Sequence, residues 1–234
     1  MSFRLNPALQ AQWRAAIGEL ASIAKKDDPE SIQKLVTLSA RRFVRNVADI
    51  TPPATGKADS IAKKRGEAAI LRDLLKIAIP TTVAGPSHAA REVLASAEDL
   101  LTAHATALSA GTVDRRKVHD KLFVSPTTFN RVLALLQKRV GWLAAGLNAA
   151  AARLGASLPA WIKRHGNRFG RIEVHPSRHG LRIRIIQNVP FADDVKNYAR
   201  HWNFALQKEI ASLTRQARAI FERKAGRAKA RLRR

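Results

Sequence analysis

The chain has 234 residues, of which 46% are hydrophobic, and its 42 lysines and arginines against 18 acidic residues give a net charge of +24. This hydrophobic content is enough for a packed core, so the sequence is not that of a disordered polyelectrolyte despite its charge. The absence of cysteine excludes disulfides, thiolate catalysis and cysteine-based zinc sites.

The positive charge is the most informative property of the composition. Such a chain repels itself unless counterions or a polyanion lie nearby, so nucleic acid, an anionic membrane and an acidic protein are all candidate partners. A surface that is merely solvated is an equally weighted alternative. No apolar run is long enough to span a bilayer, and the N-terminus lacks the apolar core of a secretory signal. We therefore expect a soluble protein with no membrane partner.

The N-terminal part predicts two amphipathic helices that pair antiparallel. The first begins at Asn6–Pro7 and the second at Asp28–Pro29, because a capping residue followed by proline is typical of a helix start. The second helix ends where the turn Thr51–Gly56 places two prolines and a glycine.

Two more helices are predicted before the middle of the chain. The third runs from about residue 59 to 78 and the fourth roughly from 88 to 108. The third has a lysine- and arginine-rich outer side over Lys63–Arg65, and its predicted inward residues are Ile61, Ile70, Leu74 and Ile77. Residues 111–124 are polar and charged, and we interpret them as an exposed loop.

Residues 126–154 predict the helix around which the others pack. Ser125 can cap it and Pro126 fits its first turn. From Phe129 onward, apolar residues recur at alternating gaps of four and three, which keeps them on one helical face. Nothing on this stretch indicates chemistry, and a core role is the simplest interpretation.

Further along the chain, the hydrophobic pattern changes from a helical period to a period of two residues. From Ile172 to Ile185, apolar residues alternate with charged ones on both sides of a turn at Pro176–Gly180. This pattern predicts an antiparallel β-hairpin over about 169–187, with one apolar and one cationic face. A hairpin is marginal by itself in water, so it must pack on helices, join more strands or pair across a subunit boundary.

A long helix, capped by Asp193 or Asp194, is predicted to follow the hairpin, and lysine and arginine dominate from residue 224. Such a tail is normally disordered alone and orders on a polyanion. The predicted fold class is therefore α+β and predominantly helical. We divide the chain into an N-terminal helical region (1–110), a region with the central helix, hairpin and C-terminal helix (111–223), and a basic tail (224–234).

Catalytic and metal-binding patterns are weak throughout. Gly56–Lys57 lacks the earlier glycine and the following serine or threonine of a phosphate-binding loop. Proline and glycine between and beside His175 and His179 rule out a shared helical face. The adjacent acid pairs Asp27–Asp28, Glu98–Asp99 and Asp193–Asp194 fit caps and solvated faces better than catalytic carboxylates. We expect no enzymatic activity, no metal and no cofactor.

Contact with a polyanion is the better-supported binding mode. Basic residues lie among Trp161, Phe169 and the hairpin arginines, which suits phosphate contact and base stacking, yet no base-reading motif is present. The candidate contact residues are Arg164, Arg168, Arg171, Arg182, Arg184, Lys224, Arg227, Lys229, Arg231, Arg233 and Arg234.

Three segments carry a family resemblance: NVADITPPATGKADSIAKKRGEAAILRDL, QKRVGWLAAGLNAAAARLGASLPAWIKRHG and IIQNVPFADDV ahead of a long terminal helix. Together they resemble minor structural proteins of tailed bacteriophages and prophages, the tail-component or neck family. The family's proline-and-glycine turn is matched by Thr51–Gly56, and its segment before the C-terminal helix by Asn188–Ala192. The chain departs from the family in lacking a Glu-x-Gly after Phe191-Ala192.

The resemblance implies a non-enzymatic virion protein, assembled in the host cytoplasm, that forms a homo-oligomeric ring at the neck or tail end. Connector, tail terminator, tail-completion protein and another minor tail component all remain open. Its implied partners are other phage head, neck and tail proteins and packaged DNA, contacted through the backbone during ejection. The alternative is a basic helical protein that binds DNA or RNA without sequence specificity, and a peripheral membrane protein is a third class.

Overall fold

A computed structural model describes residues 6–24, 29–54, 56–82, 94–113, 120–177, 180–190, 192 and 198–232. The chain divides into two compact units, one formed by Met1–Asp59 with Gly141–Arg234 and the other by Ser60–Val140. These boundaries differ from the divisions at 110 and 223 drawn from the sequence. The first unit joins distant segments of the chain, because its N-terminal helices pack on the C-terminal one.

The first unit contains six helices and a hairpin among its described residues. Its elements are α1 (Pro7–Ala24), α2 (Pro29–Ile50), α6 (Trp142–Ala145), α7 (Asn148–Leu154), α8 (Ala160–Lys163), β3 (Gly170–Ser177), β4 (Gly180–Gln187) and α9 (Tyr198–Leu232). The predicted starts of α1 and α2 at their prolines are confirmed. The cap predicted at Asp193 or Asp194 lies outside the described residues.

One apolar cluster joins α1, α2, α9 and the hairpin. Its buried members are Ala16, Ile17, Leu20, Val36, Leu213 and Ala217, with Leu181 and Ile183 of β4 packed against them. The hairpin therefore packs its apolar face on helices, which is one of the three arrangements expected for a two-stranded sheet.

The second unit has its own core. Its elements are α3 (Ser60–Ile77), β1 (Ala78–Pro80), α4 (Ala97–Ser109), β2 (Leu122–Val124) and α5 (Pro126–Gln137). β1 and β2 pair in parallel, with Ile79 opposite Phe123. The cluster contains Leu74, Ile77, Ala78, Leu100, Ala107, Val113, Val124, Phe129, Val132 and Leu136.

The fold class predicted from the sequence, mostly helical α+β with a small antiparallel hairpin and a long C-terminal helix, is confirmed. The hairpin spans 170–187, almost the range predicted. The α5 start is also confirmed, since the Ser125 hydroxyl accepts a hydrogen bond from the Thr128 amide and Pro126 occupies the first turn.

The single helix expected over 126–154 is wrong. The segment is broken into α5, α6 and α7, and its first break lies at the boundary between the two units. Gly141 has φ = 100°, a left-handed conformation that ends the helical path. The apolar spacing of the segment continues through Gly141, but the residues before and after this glycine belong to different units.

Four local expectations also need correction. The segment 111–124, of which residues 114–119 lie outside the described residues, contains strand β2 with a fully buried Val124 and is not only an exposed loop. The fourth helix starts at Ala97, and the earlier part of its predicted range falls largely outside the described residues. Ile61, expected to face inward, is 54% exposed. The backbone of α9 continues as helix to Leu232, beyond the predicted start of the tail.

Candidate polyanion-binding face

The register of the hairpin separates its two faces. Ile172 lies opposite Ile185 and Val174 opposite Ile183, while Glu173 lies opposite Arg184 and His175 opposite Arg182. Directly opposed residues of an antiparallel pair share a face. The apolar pairs therefore form the side that packs on the helices, and the charged pairs form the other. We call the latter the outer face; its charged and titratable members are Arg171, Glu173, His175, Arg182 and Arg184.

Glu173 is the point at which the outer-face charges meet. Its carboxylate lies 3.3 Å from the Arg171 guanidinium, 3.5 Å from that of Arg184 and 4.0 Å from Nε2 of His175. The arginine side chains are each 65% exposed and Glu173 is 30% exposed. One carboxylate thus serves two guanidiniums, and the face as a whole keeps an excess of positive charge.

The turn before the hairpin carries the next two candidates. The Arg168 guanidinium lies 4.5 Å from the Phe169 ring centroid and 5.4 Å from that of Trp142. Such cation–π contacts hold a guanidinium in place while its outer edge stays available for hydrogen bonding. Arg164 is also exposed, and its Nε–H donates to Nε2 of the neighbouring His165 at 3.3 Å.

A buried asparagine fixes this turn. The side-chain amide of Asn148, on α7, donates to the backbone carbonyls of Ile162 at 3.0 Å and Gly166 at 2.8 Å. Two hydrogen bonds from one buried side chain thus connect backbone carbonyls of the turn to α7. The position of Arg164 and Arg168 therefore depends on α7 as well as on the turn itself.

The open end of the hairpin is held by close backbone packing. A Cβ added to Gly170 would lie 2.0 Å from the Gly146 carbonyl oxygen, and one added to Gly146 would lie 2.5 Å from the Gln187 side chain. The Tyr198 hydroxyl donates to Oε1 of Gln187 at 2.7 Å, and burial raises the pKa of that tyrosine. These contacts connect the open end of the hairpin to α9 and to the turn after α6.

The expectation that Trp161 and Phe169 stack on bases is wrong. Both side chains are buried, and Arg168 covers the Phe169 ring. Trp161 lies against Gly141, where a Cβ would come within 2.7 Å of its ring. The two aromatic residues stabilise the turn that carries the arginines, so the arrangement suits phosphate contact and not base stacking.

The remaining candidates lie near the C-terminus. Lys224, Arg227, Lys229 and Arg231 belong to the helical backbone of α9, while Arg233 and Arg234 lie outside the described residues. The structure thus gives these cations an ordered backbone, where the sequence predicted a disordered tail.

Sequence reasoning missed a buried ion pair in the same unit. Glu209, only 1% exposed on α9, accepts hydrogen bonds from the Ser39 hydroxyl at 2.8 Å and from Nε of Arg42 at 3.0 Å. Trp13 Nε1 donates to the same serine oxygen at 2.9 Å. Burial raises the pKa of Glu209, and its bonds to Ser39 and Arg42 act against that shift. This cluster connects α1, α2 and α9.

Three further titratable groups of the described residues have shifted pKa values. Burial lowers the pKa of His104, on α4, and of His201, on α9. Asp99 is a helix cap as expected, since its hydrogen bonds with Ser96 form a capping box and lower its pKa. Within the described ranges, no three histidine, aspartate or glutamate side chains come together as metal ligands would. The pair Asp27–Asp28 and the residues His88, His119 and His179 lie outside those ranges.

Comparison with protein-family models, with curated proteins and with solved structures gives no match. Over the residues that the structure describes, no helix has the length and apolar character needed to cross a membrane. The resemblance to phage structural proteins therefore depends on the sequence segments quoted above. What the chain does must be argued from its own residues.

Proposed function

We propose that this chain is a non-enzymatic protein that binds the phosphate backbone of a nucleic acid, without reading its sequence, through the outer face of the hairpin. The observation that carries the proposal is the outer face itself, on which Arg171, Arg182 and Arg184 share one strand pair with a single glutamate. Exposed guanidiniums at strand spacing can contact successive phosphates.

The packing on the other side of the hairpin holds the outer face in place, which favours binding in a fixed geometry. The apolar side of the hairpin packs on a helical core, and close glycine contacts hold its open end. A rigid cationic face pays little ordering entropy when it binds a charged backbone. The buried positions of Trp161 and Phe169 support backbone contact over base stacking.

A second candidate is the one implied by the resemblance, a structural protein of a phage virion that assembles as a ring at the neck or tail end. The observation that favours it is the two-stranded sheet formed by β3 and β4, whose outer edges have no third strand among the described residues. An open edge can pair with a strand of another copy. In such a ring the outer face would contact passing DNA or an acidic neighbour.

One pair of measurements separates the candidates. Duplex of random sequence is titrated with the full chain and with a truncation lacking residues 224–234, and both are examined by size-exclusion chromatography with light scattering. A stand-alone binder should bind the duplex tightly with steep salt dependence, and truncation should weaken binding without abolishing it, because the outer face remains. A ring component should assemble with or without the tail; a monomer at all concentrations, with no ring in electron micrographs, contradicts the second candidate.

A further inference from the structure

Helix α3, in the second unit, has an exposed side that its core does not use. Ile61 is 54% exposed, Leu71 36% and Leu75 43%, and Ala68 between them is exposed as well. At 100° per residue these four positions fall within about 80° of one another around the helix. They form an apolar strip along the whole length of α3, opposite the buried Ala62, Gly66 and Ile77.

The spacing of this strip is that of a helix–helix seam. Ile61, Ala68 and Leu75 follow one another at seven residues, and Leu71 occupies the intermediate position three residues after Ala68. A repeat of this kind keeps its apolar residues facing a second helix that lies alongside. The strip is therefore shaped for a helical partner and not for a small molecule.

The exposed charges in and beside the strip are positive. Exposed Lys64 lies inside the strip, between Leu71 and Leu75, while exposed Arg72 and Arg65 lie about 20° and about 40° beyond its Ile61 edge and occupy equivalent positions one heptad apart. Residues at such flanking positions select the partner by charge. The acid at the border of the sector, Glu67, already pairs with Lys63 at 3.4 Å. A partner helix would therefore need acidic residues at its own flanking positions.

A second copy of this chain fits the strip poorly. Parallel α3 helices would bring Lys64 against Lys64 in the seam, and antiparallel helices would bring Arg65 of one copy near Arg72 of the other. Like charges in facing positions oppose pairing. We propose that the exposed face of α3 is a docking surface for an acidic amphipathic helix of another protein. This surface lies in the second unit and is independent of the hairpin proposal.

The test uses a labelled synthetic peptide of about three heptads with leucine at a and d and glutamate at e and g, which its own charge keeps from self-association. Fluorescence anisotropy with the full-length chain should show binding, and the same peptide with lysine in place of glutamate should not bind. Ile61→Gln/Leu75→Gln should raise Kd by about tenfold, as for loss of buried anchors. Leu108→Gln, on the exposed side of α4, is the matched control and should leave Kd unchanged.

A charge control excludes general attraction to a basic protein. Lys64→Glu/Arg72→Glu should abolish binding, while Arg182→Glu/Arg184→Glu, with the same change in net charge on the hairpin, should leave it intact. Equal losses in the two double variants, no binding of the acidic peptide, or equal binding of the lysine peptide would overturn the proposal. So would flotation with anionic vesicles that the α3 variants abolish, or a dimer in light scattering that Ile61→Gln/Leu75→Gln dissolves.

Discussion

Replacing Glu173 by glutamine should tighten nucleic-acid binding. The Glu173 carboxylate lies within ion-pair distance of both Arg171 and Arg184, so a phosphate that contacts either arginine must compete with it. Glutamine keeps the size and the hydrogen-bonding capacity of the side chain but removes its charge. The three arginines of the outer face would then be opposed by no acid.

The size of the effect follows from the exposure of these groups. Ion pairs between largely exposed side chains are worth about 0–1 kcal/mol each, and about 1.4 kcal/mol corresponds to a tenfold change in Kd. We therefore expect Glu173→Gln to lower Kd for a random-sequence duplex by about two- to fivefold at fixed salt. Fluorescence anisotropy with a labelled duplex measures this change directly.

The matched control is Glu67→Gln in the second unit. Glu67 is 28% exposed against 30% for Glu173, and it too pairs with a basic residue, Lys63, at 3.4 Å. Both variants change the net charge of the chain equally, so only a local effect separates them. If the two variants bind alike, or if Glu173→Gln binds more weakly than the wild type, the outer face is not where phosphates bind.

Other predictions concern stability and are read from urea unfolding. Because burial raises the pKa of Glu209 in the folded chain, its stabilising contribution is complete below the ordinary value of 4.5 and is lost as pH rises through the raised pKa. Wild type should therefore lose stability relative to Glu209→Gln as pH rises above 4.5, and parallel pH profiles would contradict this. Gly170→Ala should destabilise by about 3 kcal/mol, because backbone at Gly146 cannot yield to the new Cβ. A Cβ at Gly18, in helix α1, would contact no other atom within 4 Å, so Gly18→Ala should raise the free energy of unfolding by about 0.5–1 kcal/mol. A lower free energy of unfolding would contradict this prediction.

Local signals in the sequence predicted the elements that depend on them. Proline at the first turn located the starts of α1, α2 and α5, and alternation of apolar and charged residues predicted the hairpin with its two faces. These features are decided by a few neighbouring residues, through capping and side-chain period. The cationic outer face could therefore be predicted before any contact was known.

The predictions that are wrong concern features that depend on contacts between residues far apart in the sequence. Apolar spacing continued through Gly141, but its left-handed backbone lies against Trp161, and the chain there passes from one core to another. Ile61 matched the inward pattern of α3, yet which side of a helix is covered depends on the elements that pack on it. Basic residues interleaved with Trp161 and Phe169 favour base stacking in the sequence, but tertiary packing buries both aromatic side chains.

The buried ion pair of Glu209, which the sequence analysis missed, is partly indicated by the sequence. It lies three residues after Leu206 and four before Leu213, which places a carboxylate within the apolar stripe of α9. An acid at such a position must find a partner, because an unpaired buried charge is costly. Its partners, Ser39 and Arg42, lie about 170 residues away along the chain, so only the structure could identify them.

The most direct test of phosphate binding by the hairpin is the salt dependence of duplex affinity. The slope of log K against log salt concentration should be shallower by about 1.8 in Arg182→Gln/Arg184→Gln than in wild type, since each lost phosphate contact changes it by about 0.9. Lys64→Gln/Arg72→Gln, which removes the same charge from the second unit, should leave the slope unchanged. A hairpin variant that keeps its fold and the wild-type slope would contradict the proposal that these arginines contact the nucleic-acid backbone.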